Sequence, residues 1–179
     1  MVVEQSLVLI KPDGLVKSLT GNIITKLSET ELKIVGAKII QVTKELAEEH
    51  YQHLRDAKFF DELIKYIMGH FHTKRILAIV YQGENAIEKI RKIAGETNPE
   101  KAEPISIRGK YGRITSAGVF ENVVHASENA KEGEREIKLW FRPDELVYTL
   151  YDTEIKEVTI DRVFWKEEKP KEKKTKKKS

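Results

Sequence analysis

The segment Asn122-Val123-Val124-His125-Ala126-Ser127 holds one histidine after a short apolar run, with an amide before it and a hydroxyl after it. A stretch with helix-start chemistry and several carboxylates follows, Glu128 to Glu136. An imidazole in such company can be a covalent nucleophile if one group binds its target and another orients the ring. Alone, it would more readily be structural. Three cations change the odds. Lys11 closes the apolar run that starts at Ser6, Arg91 borders the apolar face of a helical pattern one turn after Ile87, and Arg108 lies between Ile107 and Gly109 in a long loop. Singly, each reads as a solvated charge. With Thr97 and the histidine they suggest an anion site, because guanidinium groups grip phosphate bidentately and an ammonium supplies a point charge.

Other phosphate and metal devices are missing. The chain has no G-x-x-x-x-G-K-[ST] loop and no G-x-G-x-x-G fingerprint, so a nucleotide would be gripped by side chains. There are no cysteines. His70-Phe71-His72 is the most closely spaced histidine pair, and it has no carboxylate cluster near it in the sequence. Alternation would put both rings on one strand face. A metal site built by the protein is not expected.

The positioning elements follow from hydrophobic period and turn chemistry. Ser6–Ile10 reads as a buried strand stopped by Lys11-Pro12-Asp13-Gly14. Thr20 can cap a helix carrying Ile23, Ile24 and Leu27. Lys33–Val42 reads as a second strand, Thr43 caps a helix with Leu46, His50 and Leu54, and Phe59–Met68 is helical. Lys74–Gln82 is a third strand, and Asn85 caps a helix that Gly95 ends. Glu96–Glu121 is a long loop, of the length that is usually functional or disordered. After a short helix, Ile137–Phe141 reads as the fourth strand. The order β-α-β-(α-α)-β-α-β predicts an α/β (α+β) ferredoxin-like fold, a mostly antiparallel four-stranded sheet with helices on one face.

The chain of 179 residues suits one domain with a core plus an appendage. We expect a catalytic-type domain over residues 1–150, an extension over 151–165 that could add a strand through Val158, Ile160 and Val163, and a disordered Lys/Glu tail over 166–179. The net charge of +3 comes from that tail, which holds eight lysines and three glutamates; the body sums to −2. Nucleic acid is therefore not an obvious partner for the body, although the tail could bind polyanions weakly and without sequence preference. No run reaches membrane-spanning length and no signal pattern opens the chain, so the expected location is cytoplasmic.

Leu9-Ile10-Lys11-Pro12-Asp13-Gly14, His50-Tyr51, Phe59-Phe60, Gly95-Glu96-Thr97-Asn98-Pro99, Ile107-Arg108-Gly109 and Asn122-Val123-Val124-His125-Ala126-Ser127 resemble, in order, the motifs of nucleoside diphosphate kinases. The resemblance runs from about Ser6 to Leu146. It implies transfer of the terminal phosphate from a nucleoside triphosphate to a nucleoside diphosphate, by a ping-pong route through a phosphohistidine. In that reading His125 is the nucleophile, Glu136 orients its ring, Ser127 supports the same hydrogen bonds and Tyr51 sits against the transferring phosphate. Arg91, Thr97 and Arg108 hold phosphates, Lys11 reaches sugar hydroxyl and phosphate, and Asn122 reaches the sugar hydroxyl. Phe59 stacks on the base, with Val119 on its other face. Mg²⁺ arrives on the nucleotide phosphates. Aromatic stacking is tolerant of base identity, which implies broad base specificity. The family also implies a homo-oligomer, a hexamer in preference to a tetramer, with the apolar residues Ile105, Ile107, Ile114, Val119 and Phe120 of the long loop needing cover.

The chain departs from the family in places. Glu128 stands where the family usually has Asp, and Glu121 where it usually has Arg. Ser18 and Asn22 flank a segment that is richer in glycine and acids in relatives. Two stretches run longer, near Gly69–Thr73 and Gly112–Ser116. Two other readings compete. A ferredoxin-like RNA-binding module would want paired aromatics on its central strands, where this chain has aliphatics and Tyr81. An inactive relative kept for assembly would not need His125, Lys11, Arg91, Arg108 and Glu136.

Overall fold

The first strand, β1 (Val3–Ile10), has no exposed residue from Gln5 onward. A strand buried on both faces must be covered on both. Leu7 and Leu9 face one core cluster and Val8 and Ile10 the other. The computed structural model, which describes residues 2–116 and 118–166, supplies both covers.

The sheet has the order β2 (Lys33–Ile40), β3 (Ile76–Glu84), β1, β6 (Val124–Ala126), with every pairing antiparallel. This is the ferredoxin-like arrangement expected from the element order. On one face lie α2 (Thr20–Ser28) and α5 (Ala86–Ala94), contributing Ile23, Leu27, Ile90 and Ala94. On the other lie α3 (Lys44–His50), α4 (Phe60–Ile67) and α7 (Ala130–Trp140), contributing Ala47, Ile64, Ile67, Ile137 and Trp140. Helices thus cover both faces of the sheet, where the sequence reading placed them on one.

The fourth strand is β6, which carries His125 itself; the expected strand at Ile137–Phe141 is instead the end of α7 and its cap. Gly133, Glu136, Ile137 and Trp140 are buried at helical spacing, so one stripe of this segment packs and Lys138 faces out. The apolar run at its end mimicked a strand. Asn129 caps α7 by accepting from Glu132 N at 3.0 Å.

Thr43 caps α3 as expected, accepting from Leu46 N at 3.2 Å. Two other caps differ. Thr20 is the first residue of α2 and makes no cap bond. Asn85 has φ 52 and leaves the cap to Glu4, whose Oε2 accepts from Ile87 N at 3.3 Å.

The long loop is partly structured. It holds α6 (Ile107–Tyr111), capped by Ser106, and a hairpin of β4 (Arg113–Ile114) with β5 (Phe120–Glu121). Ile107 is buried in the core and needs no outside cover, whereas Ile105 is 78% exposed. His70 and His72 lie in a turn after α4, not on a strand. The remaining short helix, α1 (Pro12–Val16), follows β1 directly.

The extension past Leu150 adds no strand. Val147 N donates to Val35 O at 2.8 Å, Tyr148 O accepts from Gln5 Nε2 at 2.9 Å, and Tyr151 packs against the core. Ile155, Val158, Ile160 and Val163 are all exposed. Alternation there has no sheet to meet. The Lys/Glu tail from 167 onward lies outside the described residues. Among the described residues no helix is long and apolar enough to cross a membrane.

Candidate functional site

Strand β6 fixes His125 opposite Leu9 of β1, with Val124 opposite Ile10. The residue before the strand, Val123, has φ 56. A β-branched side chain in this region costs of order 1–3 kcal/mol and persists only where its surroundings hold it. Here the peptide is clamped on both sides: Asp13 Oδ2 accepts from Val123 N at 3.1 Å, and Lys11 N donates to Val123 O at 2.9 Å. The Lys-Pro-Asp-Gly turn after β1 therefore sets the backbone that carries the histidine.

Glu136, buried on α7, reaches the ring. Its Oε1 lies 2.9 Å from His125 Nε2, with the ring turned off the line of an ideal hydrogen bond. Its Oε2 accepts from Ser127 Oγ at 2.6 Å, and Ser127 Oγ accepts in turn from Leu7 N at 3.0 Å. Burial alone would raise the Glu136 carboxyl, but His125 and Ser127 outweigh it and hold the group below the usual range. A carboxylate against Nε2 selects the tautomer with its proton there and leaves Nδ1 with its lone pair. Burial also lowers the His125 pKa, Glu136 opposes, and the charges of Lys11 and Arg108 add to the lowering.

Two rings complete the wall. His50 meets His125 edge-on at 4.5 Å between centroids, and Tyr51 does so at 6.3 Å. Trp140 Nε1 donates to His50 Nδ1 at 3.1 Å, fixing that ring. Burial holds His50 well below the ordinary imidazole pKa and raises the Tyr51 phenol. Both are neutral near pH 7.

Cations converge from three elements. Lys11 is 6% exposed, and its Nζ donates to Asn122 Oδ1 at 2.7 Å. Burial first, and then the like charge of Arg108, lower its pKa to about 7, against a raising pull from Asp13. Asn122 Nδ2 donates to Thr97 O at 2.8 Å, tying the pair to the loop after α5. Arg108 is buried on α6, donating from Nη1 to Gly95 O at 2.7 Å and from Nε and Nη2 to Val124 O. The remaining N–H groups of its fork are free for a ligand. Burial and the charge of Arg91 lower Arg108 to about 10. Gly95 has φ 84, and a Cβ there would stand 2.2 Å from Ser106 Oγ, so only glycine lets the loop approach α6 this closely.

His125, Glu136, Ser127, Tyr51, Lys11, Asn122 and Arg108 are thus one cluster. Arg91 and Thr97 are exposed at its border, Arg91 near enough to act on Arg108 electrostatically. Phe59 is 57% exposed just before α4, and Val119 is half-buried in the hairpin, its N–H bonded to Thr115 Oγ1 at 3.0 Å. Sequence reasoning gave no role to Asp13, His50 or Trp140. Asp13 was visible as part of the Lys-Pro-Asp-Gly turn, and His50 as the neighbour of Tyr51; the Trp140 contact has no local signal.

His50, His125 and Glu136 could offer three ligand atoms within 4.8 Å of one another. His50 Nδ1 and Glu136 Oε2 are already used, by Trp140 and Ser127. Mg²⁺ wants near-octahedral oxygen ligands, which this set does not provide.

The nucleoside diphosphate kinase family matches residues 4–146. A nucleoside diphosphate kinase from Pyrococcus abyssi is 46% identical over 143 residues, covering 80% of this chain and 87% of that protein. One from Symbiobacterium thermophilum is 44% identical, covering 82% and 92%. Among solved structures, a transition-state mimic of the Borrelia burgdorferi enzyme with bound vanadate and ADP superposes with a TM-score of 0.74 at 30% identity, covering 85% of this chain and 95% of that one. The Halobacterium salinarum enzyme in complex with CDP gives 0.74 at 37% identity, covering 84% and 95%. With the motifs, the fold and the match across the whole catalytic core in agreement, the chain belongs to the nucleoside diphosphate kinase family and is a phosphotransferase acting on nucleotides.

Proposed function

We propose that the chain moves the terminal phosphate from a nucleoside triphosphate to a nucleoside diphosphate in two half-reactions at His125. Nδ1 attacks the γ-phosphorus, the P–N bond forms as the bond to the β–γ bridging oxygen breaks, and the diphosphate leaves. A second diphosphate then takes the phosphoryl group back from Nδ1. The observation that carries this reading is the ring itself, with Glu136 Oε1 2.9 Å from Nε2 and with Lys11 and Arg108 in the same cluster.

Each residue has a physical task. A depressed His125 pKa keeps the attacking ring neutral near pH 7. Glu136 balances the positive charge that develops on the imidazole, and Ser127 holds that carboxylate in place. Arg108, Arg91 and Lys11 neutralise phosphate charge, with Thr97 beside them. Asn122 and Lys11 read the sugar hydroxyl, Tyr51 stands against the transferring group, and Phe59 and Val119 border the base. Phe59 reads as a stacking face because it is exposed rather than packed. Stacking of this kind implies broad base specificity. Mg²⁺ would supply charge neutralisation on the nucleotide's own phosphates, since the nitrogen-rich set of His50, His125 and Glu136 does not suit an ion that wants oxygen ligands.

The working unit in this reading is residues 1–150, located in the cytoplasm and assembled as a homo-oligomer, with the exposed Ile105 and Phe120 of the long loop as candidates for cover. Incubation with radiolabelled ATP tests the chemistry. An acid-labile, base-stable phosphoprotein is expected from the native chain and none from His125→Ala. Label retained in that variant would place the phosphate elsewhere.

A further inference from the structure

Glu121 stands immediately before Asn122, at the end of the hairpin, and is 4% exposed. Three side chains from separate segments meet its carboxylate: an arginine, a lysine and a histidine. Arg113 Nε lies 2.6 Å from Oε2, Lys17 Nζ 3.1 Å from Oε2, and His72 Nε2 2.9 Å from Oε1. His72 and Arg113 belong to the two stretches that run longer here, and Lys17 follows α1. A buried carboxylate with one partner would be a liability; with three it is an anchor. Burial alone would raise its pKa, but Arg113, Lys17 and His72 bring it down to about 2.

What the anchor holds is the next residue. Asn122 Oδ1 accepts from Lys11 Nζ and Asn122 Nδ2 donates to Thr97 O, and Val123 beyond it is held in a strained conformation. The hairpin around Glu121 has only two residues in each strand, so its own ladder cannot fix where Asn122 sits. We infer that Glu121 is a positioning residue: through Lys17, His72 and Arg113 it sets the place of Asn122, and with it the Lys11–Asn122 pair that grips the nucleotide sugar. The sugar contact rests on the proposed function; the anchoring rests on the geometry alone.

Glu121→Gln keeps the volume and an acceptor while removing the charge. Lys17 and Arg113 are 30% and 61% exposed at their side chains, so they turn to water and the fold survives. Calorimetric titration with ADP and with 2′,3′-dideoxy-ADP reads the effect directly. Native protein should prefer ADP. In Glu121→Gln the ADP affinity should fall roughly three- to tenfold, the size of one misplaced hydrogen bond, while dideoxy-ADP binding stays within twofold, about the resolution of such a titration. In transfer assays KM should rise with kcat nearly kept. A lower melting temperature with an unchanged ADP preference would overturn the inference and leave Glu121 as a plain tie between segments. If Glu121→Gln does not fold, Arg113→Gln and His72→Gln, each leaving two partners in place, carry the same readout. Native protein that binds ADP but forms no phosphohistidine would sink the proposed mechanism and not this anchor; equal binding of both ligands by native protein would sink the sugar contact.

Discussion

Lys11→Met separates what Lys11 does for the fold from its proposed part in holding the nucleotide. Its ammonium is buried, and its pKa falls from 10.5 to about 7, chiefly through loss of hydration. At 1.36 kcal/mol per pKa unit, the charged form costs on the order of 5 kcal/mol relative to the neutral one. The sign follows from proton counting. Between pH 7 and 10.5 the unfolded chain holds the proton that the folded chain has lost, so stability rises with pH through that window. Below pH 7 the full penalty is present. Methionine keeps most of the volume and removes the charge, but it forfeits the 2.7 Å bond to Asn122. Taking that bond as about 2 kcal/mol, the net gain at pH 6 is about 3 kcal/mol. Urea unfolding of both proteins at pH 6 and pH 9 is the assay. The variant should be more stable at pH 6, the difference should shrink by pH 9, and phosphate transfer should collapse in the variant. A Met variant less stable than native at pH 6, or native stability flat from pH 7 to 9, would show that the amine is hydrated in solution and refute the argument.

Other expectations follow from the same geometry. His125→Ala should lose nucleotide exchange entirely while its circular dichroism spectrum is unchanged. Ser127→Ala strands Leu7 N and takes a 2.6 Å donor from Glu136; unfolding free energy should fall by about 2–4 kcal/mol, measured in urea. Arg108→Lys cannot hold Gly95 O and Val124 O while forking to a phosphate, so calorimetry should show ADP affinity down about tenfold or more. Because burial lowers the His125 pKa, the acid limb of kcat/KM should lie below pH 6.5.

Much of this protein was legible in its residues taken in order. The strands β1, β2 and β3 announce themselves as short β-branched or aliphatic runs, and Thr43 marks the start of α3. Lys11, Arg108 and His125 stood out because each carries chemistry that packing does not require: a cation closing a buried strand, another in a loop, a histidine between an amide and a hydroxyl; Tyr51, Phe59, Val119 and Glu136 were named only through the resemblance to the family. Ile137–Phe141 misled because its apolar residues cluster at a helix end, where a short window cannot separate the two periods. Tertiary structure alone decided the rest. Whether helices cover one face or two depends on how far each strand is buried, and that is a property of the packed sheet. Glu136 is eleven positions from His125, yet α7 folds back along β1 and brings its carboxylate to the ring. Lys11 acquires its low pKa from burial beside Arg108, and Glu121 acquires Lys17 and His72 from segments far from it in the chain. Residue type sets which charges exist; only the fold sets their distances and their hydration, and electrostatic energy depends on both.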